Sequence, residues 1–206
     1  VDWGVSSRIA APDGNGELWL WDRGGRIQYT ALPGTSWGPL ETGIPRPVGA
    51  TVDTTNRFWI GGSTPDGLVH LAVKESTGWQ GISIPNSKGY ILRGLDRDAK
   101  GGVWAFAVSN RLARLIRADG RNQSTFEVQD LDWFWDPRMA TAPDGTPYIY
   151  RSATVHRFDP IKGDFQIENG LTGWAQYPLV VADRFGFLMQ SKLGGVNGTA
   201  LPTNGT

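Results

Sequence analysis

Short stretches in which apolar and polar residues alternate recur along the whole chain, separated by Gly, Pro, Asn and Asp. Alternation of this kind between turn-forming residues predicts β-strands with one buried face. The most apolar stretches are Leu18–Trp21, Phe58–Ile60, Val103–Ala107, Tyr148–Tyr150 and Phe187–Gln190. Their large side chains predict strands whose two faces both pack against neighbouring sheets.

An aspartate precedes each of these stretches, at Asp13, Asp53, Asp98, Asp144 and Asp183, with intervals of 40, 45, 46 and 39 residues. A period near 40 with one tight turn per unit is typical of repeated four-stranded blades. The sequence therefore predicts an all-β fold, a five-bladed β-propeller of four-stranded antiparallel blades that occupies residues 1–206 as one domain. We interpret the aspartates as turn formers whose carboxylates accept backbone N–H groups two residues on.

We letter the four strands of each unit a to d. The apolar stretches above are strand b, and the other three strands follow from the same alternation. Strand a is predicted at Arg8–Pro12, Val48–Val52, Arg93–Arg97, Met139–Pro143 and Leu179–Ala182. Strand c is predicted at Arg26–Thr30, Val69–Lys74, Leu112–Arg117, Thr154–Phe158 and Gly198–Leu201. Strand d is predicted after Trp37, Trp79, Ser124 and Asp164. Small residues are frequent in strand a, which faces the narrow axis of a propeller.

The fifth unit ends after strand c, and Val1–Val5 has no other role in the repeat. We expect this N-terminal strand to complete the fifth blade and close the ring, since closure removes an unpaired sheet edge. The alternative is a fragment of a longer propeller. The chain starts at Val1 without Met or a signal peptide, which favours a processed protein or an excised domain.

Composition narrows the function classes. The chain has no cysteine, which excludes disulfides, thiolate nucleophiles and Cys-based zinc sites. Its 20 basic and 20 acidic residues balance, so we expect no nucleic-acid partner. No apolar run is long enough for a transmembrane segment. Sequons beginning at Asn122, Asn197 and Asn204 favour a secreted, extracellular glycoprotein.

Several segments resemble known propeller repeats. The segments APDGNGELWLWD and APDGTPYIY resemble units of virginiamycin B lyase-type propellers. The segment HRFDPIKGDFQIENGLTGWAQYPLVVADRFGFLM is similar to propeller repeats of two-component regulator sensor domains, and DTTNRFWIGGSTPDGLVHLAVKESTGWQG to units of propeller lectins. These generic resemblances imply a propeller and leave its activity open.

Aromatic residues in the d–a connections are the first candidate ligand contacts, because flat rings stack on the C–H face of sugars. They are Trp3, Tyr90, Trp133, Trp135, Trp174 and Tyr177. The alternative is that these rings close the outer interfaces between blades. Trp37 and Trp79, beside strand d, are interpreted as packing residues.

Arginines recur where strand a starts, at Arg8, Arg46, Arg93 and Arg138. Four guanidinium groups around one axial mouth would favour a carboxylate, sulfate or phosphate, and hence acidic sugars. The alternative is that each arginine pairs with acids of its own blade.

Catalytic patterns are weak. Strand a contributes one acid, Asp96, whereas glycosidases need two carboxylates at the axis. His70 and His156 lie apart, and we interpret them as structural. Spacing around Asp130, Asp132 and Asp136 matches no calcium loop, so we expect no metal or other cofactor.

The sequence therefore favours a lectin-like binder of glycans that acts outside the cell and is not an enzyme. The alternatives are a ligand-sensing domain of a larger receptor and a polysaccharide lyase or hydrolase that uses the same face. The identity of the sugar and the oligomeric state stay open.

Overall fold

The alternating stretches form strands throughout the part of the chain that can be described. The computed structural model describes the backbone of residues 7–12, 17–22, 27–31, 38–39, 44, 46–109, 112–128, 138–142, 144–151, 154–167, 180–182, 187–192 and 195–200, and the side chains of residues 44, 47–109, 112–128, 139–142, 144–149 and 155–166. Within those ranges every regular element is a strand and no helix occurs.

The strands follow one another in antiparallel sheets, so that neighbours in sequence are neighbours in space. Sheet one contains β1 (Ser7–Pro12), β2 (Glu17–Asp22), β3 (Ile27–Ala31) and β4 (Gly38–Pro39). Sheet two contains β5 (Arg46–Val52), β6 (Phe58–Ser63), β7 (Val69–Glu75) and β8 (Gly78–Ser83). Sheet three contains β9 (Ile91–Arg97), β10 (Val103–Val108), β11 (Ala113–Ala118) and β12 (Gln123–Val128). Sheet four contains β13 (Arg138–Thr141), β14 (Pro147–Arg151), β15 (Thr154–Asp159) and β16 (Asp164–Ile167), and sheet five contains β17 (Val180–Ala182), β18 (Phe187–Lys192) and β19 (Gly195–Ala200).

These bounds confirm the predicted all-β class, the order of strands a to d in the first four units, and that of strands a to c in the fifth. The bounds differ by up to three residues: β6 ends at Ser63 and not at Ile60, and the third strand of the last unit begins at Gly195 and not at Gly198. Val1–Val5, the segment predicted to close a ring, lies outside the described residues.

Consecutive sheets contact each other through their first strands: β1 contacts β5, β5 contacts β9, β9 contacts β13 and β13 contacts β17. Glycines allow this approach. A Cβ on Gly94 would lie 2.8 Å from the Cβ of Met139, and one on Gly49 would lie 3.2 Å from that of Leu95. Small residues in strand a therefore serve the contact between neighbouring inner strands.

The second strands of sheets two and three, β6 and β10, pack on both of their faces, as the sequence predicted. Trp59 joins a core with Val103 and Ala105 of sheet three, while Phe58 packs with Ile44 and Trp79 on the other face of sheet two. Trp59 is fully buried and Trp104 is 4% exposed, which confirms that these tryptophans belong to the core. Alternate residues of one strand thus join successive sheets into a continuous core.

The a–b turn of sheet two is built around the carboxylate of Asp53, whose side chain is fully buried. Its Oδ1 accepts the N–H groups of Thr55 and Arg57 at 2.9 and 3.0 Å. Its Oδ2 accepts Nε1 of Trp59 at 2.8 Å and Nε of Arg57 at 2.9 Å. Burial raises the pKa of Asp53, but the hydrogen bonds and the charge of Arg57 outweigh it and leave the pKa below its ordinary value.

The repeat aspartates are not all equivalent. The N–H groups of Asp53 and Asp98 bond to the carbonyls of Arg57 and Gly102, at 3.0 and 2.9 Å. Ala142 takes this place in sheet four, with its N–H 2.9 Å from the Thr146 carbonyl, so that Asp144 lies two residues further along its turn. Asp144 nevertheless accepts the Thr146 N–H at 2.9 Å, as predicted for a turn former.

Replacing Asp53 by Asn should destabilise the fold by about 2–4 kcal/mol, because an amide N–H₂ would face the donors of Trp59 and Arg57. Asp144→Asn, on an exposed turn, should change the free energy of unfolding by less than about 0.5 kcal/mol. Urea unfolding monitored by tryptophan fluorescence measures both. Equal small losses in the two variants would show that the buried carboxylate has no special role.

Candidate functional site

The connection between β8 and β9 and the turn between β6 and β7 lie together on one face, here called the d–a face. The N–H of Gly89 donates to the carbonyl of Gly67 at 3.3 Å. The buried Ser87 hydroxyl accepts the Val69 N–H at 2.9 Å and donates to the Ile84 carbonyl at 2.6 Å. The d–a connection is therefore held against the b–c turn of its own sheet, where the sequence predicted ligand contacts.

Tyr90 ends this connection and differs from the exposed aromatic that the sequence suggested. It is 7% exposed and belongs to the core cluster shared with Trp59 and Leu92. The guanidinium carbon of Arg114 lies 4.4 Å from the centre of its ring. The packing alternative therefore describes the position of Tyr90, and a sugar would have to displace Arg114 to stack on that face.

Arg114 is fixed by polar partners as well as by the ring. Its Nη2 lies 2.8 Å from Oε1 of Glu127, and Nη1 donates to the carbonyl of Asn86. The Arg114 side chain is 13% exposed, whereas that of Glu127 is 48% exposed. On this face Glu127 is thus the more accessible of the paired groups and can accept hydrogen bonds from a polar ligand.

The predicted arginines do not all occupy equivalent positions. In β1 the pairing register shifts between Ser7 and Ile9, so that Arg8 is the extra residue of a β-bulge. In β9 the register shifts between Leu92 and Gly94, so that Arg93 is the extra residue of a second bulge. In β5 the extra residue of the corresponding bulge is Val48, which is not an arginine.

The other two arginines start their strands, Arg46 in β5 and Arg138 in β13. Arg93 is half-buried, and the side chains of Arg8, Arg46 and Arg138 lie outside the described residues. An anion site formed by the four together stays a prediction.

The remaining predicted contacts belong to connections that lie outside the described residues: Trp3, Trp133, Trp135, Trp174 and Tyr177. Their part in binding also stays a prediction. Arg114 was missed by sequence reasoning because its role depends on the approach of Tyr90, which is 24 positions earlier in the chain. The available signal was a charged residue near the start of a strand c whose other residues, apart from Arg117, are apolar.

His70 lies near the same face, on β7, with Nδ1 3.0 Å from the hydroxyl of Ser83. Gly81 makes room for the ring, since a Cβ there would lie 2.7 Å from Nε2. Burial lowers the pKa of His70. Among the described residues no three His, Asp or Glu side chains form a group suited to a metal ion.

The lowered pKa of His70 predicts that the stability of the fold depends on pH. The unfolded chain binds the proton first, so stability should fall as the pH drops through the ordinary value near 6.5. In His70→Asn the fall in free energy of unfolding between about pH 8 and about pH 5.5 should be smaller than in the parent. Urea midpoints measured across that range test this, and parallel curves for the two proteins would contradict it.

The chain resembles several solved structures in fold. Virginiamycin B lyase from Staphylococcus aureus aligns with a TM-score of 0.65 and 14% identity over 97% of this chain and 71% of the lyase. The extracellular domain of BT4673 from B. thetaiotaomicron, named as a one-component system, aligns with a TM-score of 0.69 and 16% identity over 97% of this chain. That of BT3049 from the same organism, named as a hybrid two-component system, aligns with a TM-score of 0.63 and 15% identity over 96% of this chain.

This chain spans 28% of each of the two extracellular-domain chains. No protein-family model and no curated protein matches it in sequence. At these identities the likeness shows the fold alone. Together with the antiparallel sheets that contact through their first strands, it shows that the chain is a propeller-repeat protein, as the sequence predicted. No helix in the described part is long and apolar enough to cross a membrane.

Proposed function

We propose that this chain is a lectin-like propeller that binds glycans on its d–a face, outside the cell. The observation that supports this is the hydrogen bond between Gly89 and Gly67, which holds a d–a connection against a b–c turn on one face. The next d–a connection, between β12 and β13, carries Trp133 and Trp135. If it follows the same course, it brings two rings suited to sugar stacking to that face.

The chemistry of the described part of this face also suits a polar, uncharged or acidic ligand. The carboxylate of Glu127 is half-exposed and held by Arg114, so it can accept hydroxyl hydrogen bonds. The half-buried Arg93 lies on the adjoining inner strand, where a guanidinium would favour an acidic sugar. Binding would therefore combine stacking by loop aromatics with hydrogen bonds from groups that the sheets hold in place.

Trp133→Ala and Trp135→Ala should each weaken glycan binding at least about tenfold on a glycan array and in calorimetric titration, because stacking area is lost. Ile161→Ala is the matched control, since Ile161 is 94% exposed on the opposite face. Absence of sub-millimolar binding to any glycan by the intact protein would overturn the proposal. Arg93→Ala should weaken acidic glycans more than neutral ones, and equal losses would remove the acid preference.

We also propose that five blades form the propeller and that residues 1–5 pair with β19 to complete the fifth. Sheet five has three described strands, one fewer than each of the other four sheets. Pairing of its outer strand would remove an exposed sheet edge. The alternative is that the repeats continue in a longer protein.

Deleting residues 1–5 should lower the melting temperature by about 4 °C or more if they supply this strand. Thermal unfolding followed by circular dichroism measures the shift. A deletion variant with the melting temperature of the parent would contradict ring closure by this segment.

A ligand-sensing role is the second candidate, and the similarity to the extracellular domains of BT4673 and BT3049 favours it. Such a domain would bind its ligand on the same face and pass the signal to other parts of a larger protein. A lyase or hydrolase role has support from the fold of virginiamycin B lyase alone. Incubation of the protein with a glycan that it binds, followed by analysis of the recovered glycan, tests for catalysis. An uncleaved glycan would favour the two binding roles over the lyase or hydrolase role.

A further inference from the structure

A groove lies between sheets two and three on the face opposite to the proposed glycan site, here called the a–b face. It has a volume of about 480 Å³ and is open to solvent. Its walls are the a–b turns of both sheets and the turn between β11 and β12. The lining residues are Thr55, Arg57, Lys100, Gly101, Asp119 and Arg121.

Arg57 forms the fixed wall of the groove. Its Nε lies 2.9 Å from Oδ2 of Asp53 and its Nη1 3.3 Å from Oε1 of Glu75. Its Nη2 donates to the carbonyl of Asp119 at 3.0 Å, which joins sheet two to the turn of sheet three. All three nitrogens of the guanidinium therefore have protein partners. Arg57 holds the two sheets together at the groove, and its charge is already paired with Asp53 and Glu75.

Asp119 is the acid on the groove wall, and its carboxylate is directed to its own turn. Oδ1 accepts the N–H groups of Arg121 and Asn122 at 2.8 and 2.7 Å. These hydrogen bonds lower the pKa of Asp119 to about 2. The carboxylate is thus ionised and already bonded to backbone donors, so that it only partly offsets the basic groups around it.

Lys100 and Arg121 supply the available charge. Both side chains are exposed, and among the described residues neither forms an ion pair. An ammonium and a guanidinium are both charged at neutral pH. The groove therefore presents two cations whose donors are free to bind a ligand.

The fold does not require these two cations. The place of Lys100 in its a–b turn is taken by Thr55 in sheet two and by Asp144 in sheet four. The place of Arg121 is taken in sheet four by Ile161, which is 94% exposed in a turn where Asp159 caps the same two N–H groups. Since equivalent turns form with neutral, acidic or apolar residues at these positions, neither cation is needed to make its turn.

Glycines bring the two turns close enough to share the groove. Gly101 has φ +82° and lies beside Thr55, whose Cγ2 would be 3.1 Å from an added Cβ. Gly120 has φ +98°, and an added Cβ there would lie 3.1 Å from Nη1 of Arg57. Both glycines adopt a backbone conformation that side chains rarely accept, and neither places a side chain against the neighbouring Thr55 or Arg57.

We propose that this groove binds an oxyanion, the phosphate or sulfate group of a small ligand, between Lys100 and Arg121. A guanidinium can donate two parallel hydrogen bonds to such a group, and an ammonium adds a third donor. The site is separate from the proposed glycan site, because it lies on the other face and shares no residue with it.

The test is a titration of the intact chain with sodium sulfate and, separately, sodium phosphate, followed by the backbone amide resonances of Gly101, Gly120 and Arg121. Sodium chloride at matched ionic strength is the reference. We expect saturable shifts at these amides with at least one of the two oxyanions. Identical, non-saturating shifts with chloride would overturn the proposal.

The double variant Lys100→Gln/Arg121→Gln should bind the oxyanion at least about tenfold more weakly, since both charge-assisted contacts are lost. Lys162→Gln is the matched control, because Lys162 lies on the equivalent turn of sheet four and is 65% exposed. Unchanged binding in the double variant, or an equal loss in the control, would contradict the site.

Glucose 6-phosphate and glucose 6-sulfate, titrated in parallel, distinguish the two sources of the oxyanion. The double variant should retain glycan binding by the d–a face, and Trp133→Ala should retain oxyanion binding. The two proposals can therefore fail separately.

Discussion

The buried carboxylate of Asp53 determines much of the described architecture. It holds the a–b turn of sheet two, fixes the indole of Trp59 in the core and positions Arg57. Arg57 in turn bonds to the carbonyl of Asp119 in the next sheet. A buried charge is tolerated only when it is fully hydrogen-bonded, and here that requirement links turn, core and neighbouring sheet in one network.

The second constraint is the close packing of the inner strands. Gly49 and Gly94 allow β5, β9 and β13 to approach until a single methyl group would not fit between them without movement. Asp96 then accepts the Thr141 N–H at 2.8 Å, so that a polar side chain of β9 bonds to the backbone of β13. The bulges at Val48 and Arg93 lie on these same strands, where extra residues bend the strand near the d–a face.

The features that depend on local sequence could be predicted, and those that depend on contacts between sheets could not. Alternation and turn residues predicted the strands, and the apolar strand b predicted the core positions of Trp59 and Trp104. Spacing alone equated Asp144 with Asp53, although Ala142 has that place in the hydrogen-bonded turn. Tyr90 was a candidate ligand contact because it is an aromatic residue in a d–a connection, whereas Arg114 from another strand covers its ring.

The two faces of the repeat differ in how many of their charged side chains are already paired. On the d–a face the described charges are largely paired, with Arg114 held by Glu127 and by the Tyr90 ring. On the a–b face, aspartate carboxylates such as those of Asp53 and Asp119 accept backbone N–H groups and hold the turns. The neighbouring positions can therefore vary without loss of the turn. Lys100 and Arg121 occupy such permissive positions. Comparison of equivalent turns within one chain thus distinguishes the residues that the blade needs for folding from the residues that are available for binding a ligand.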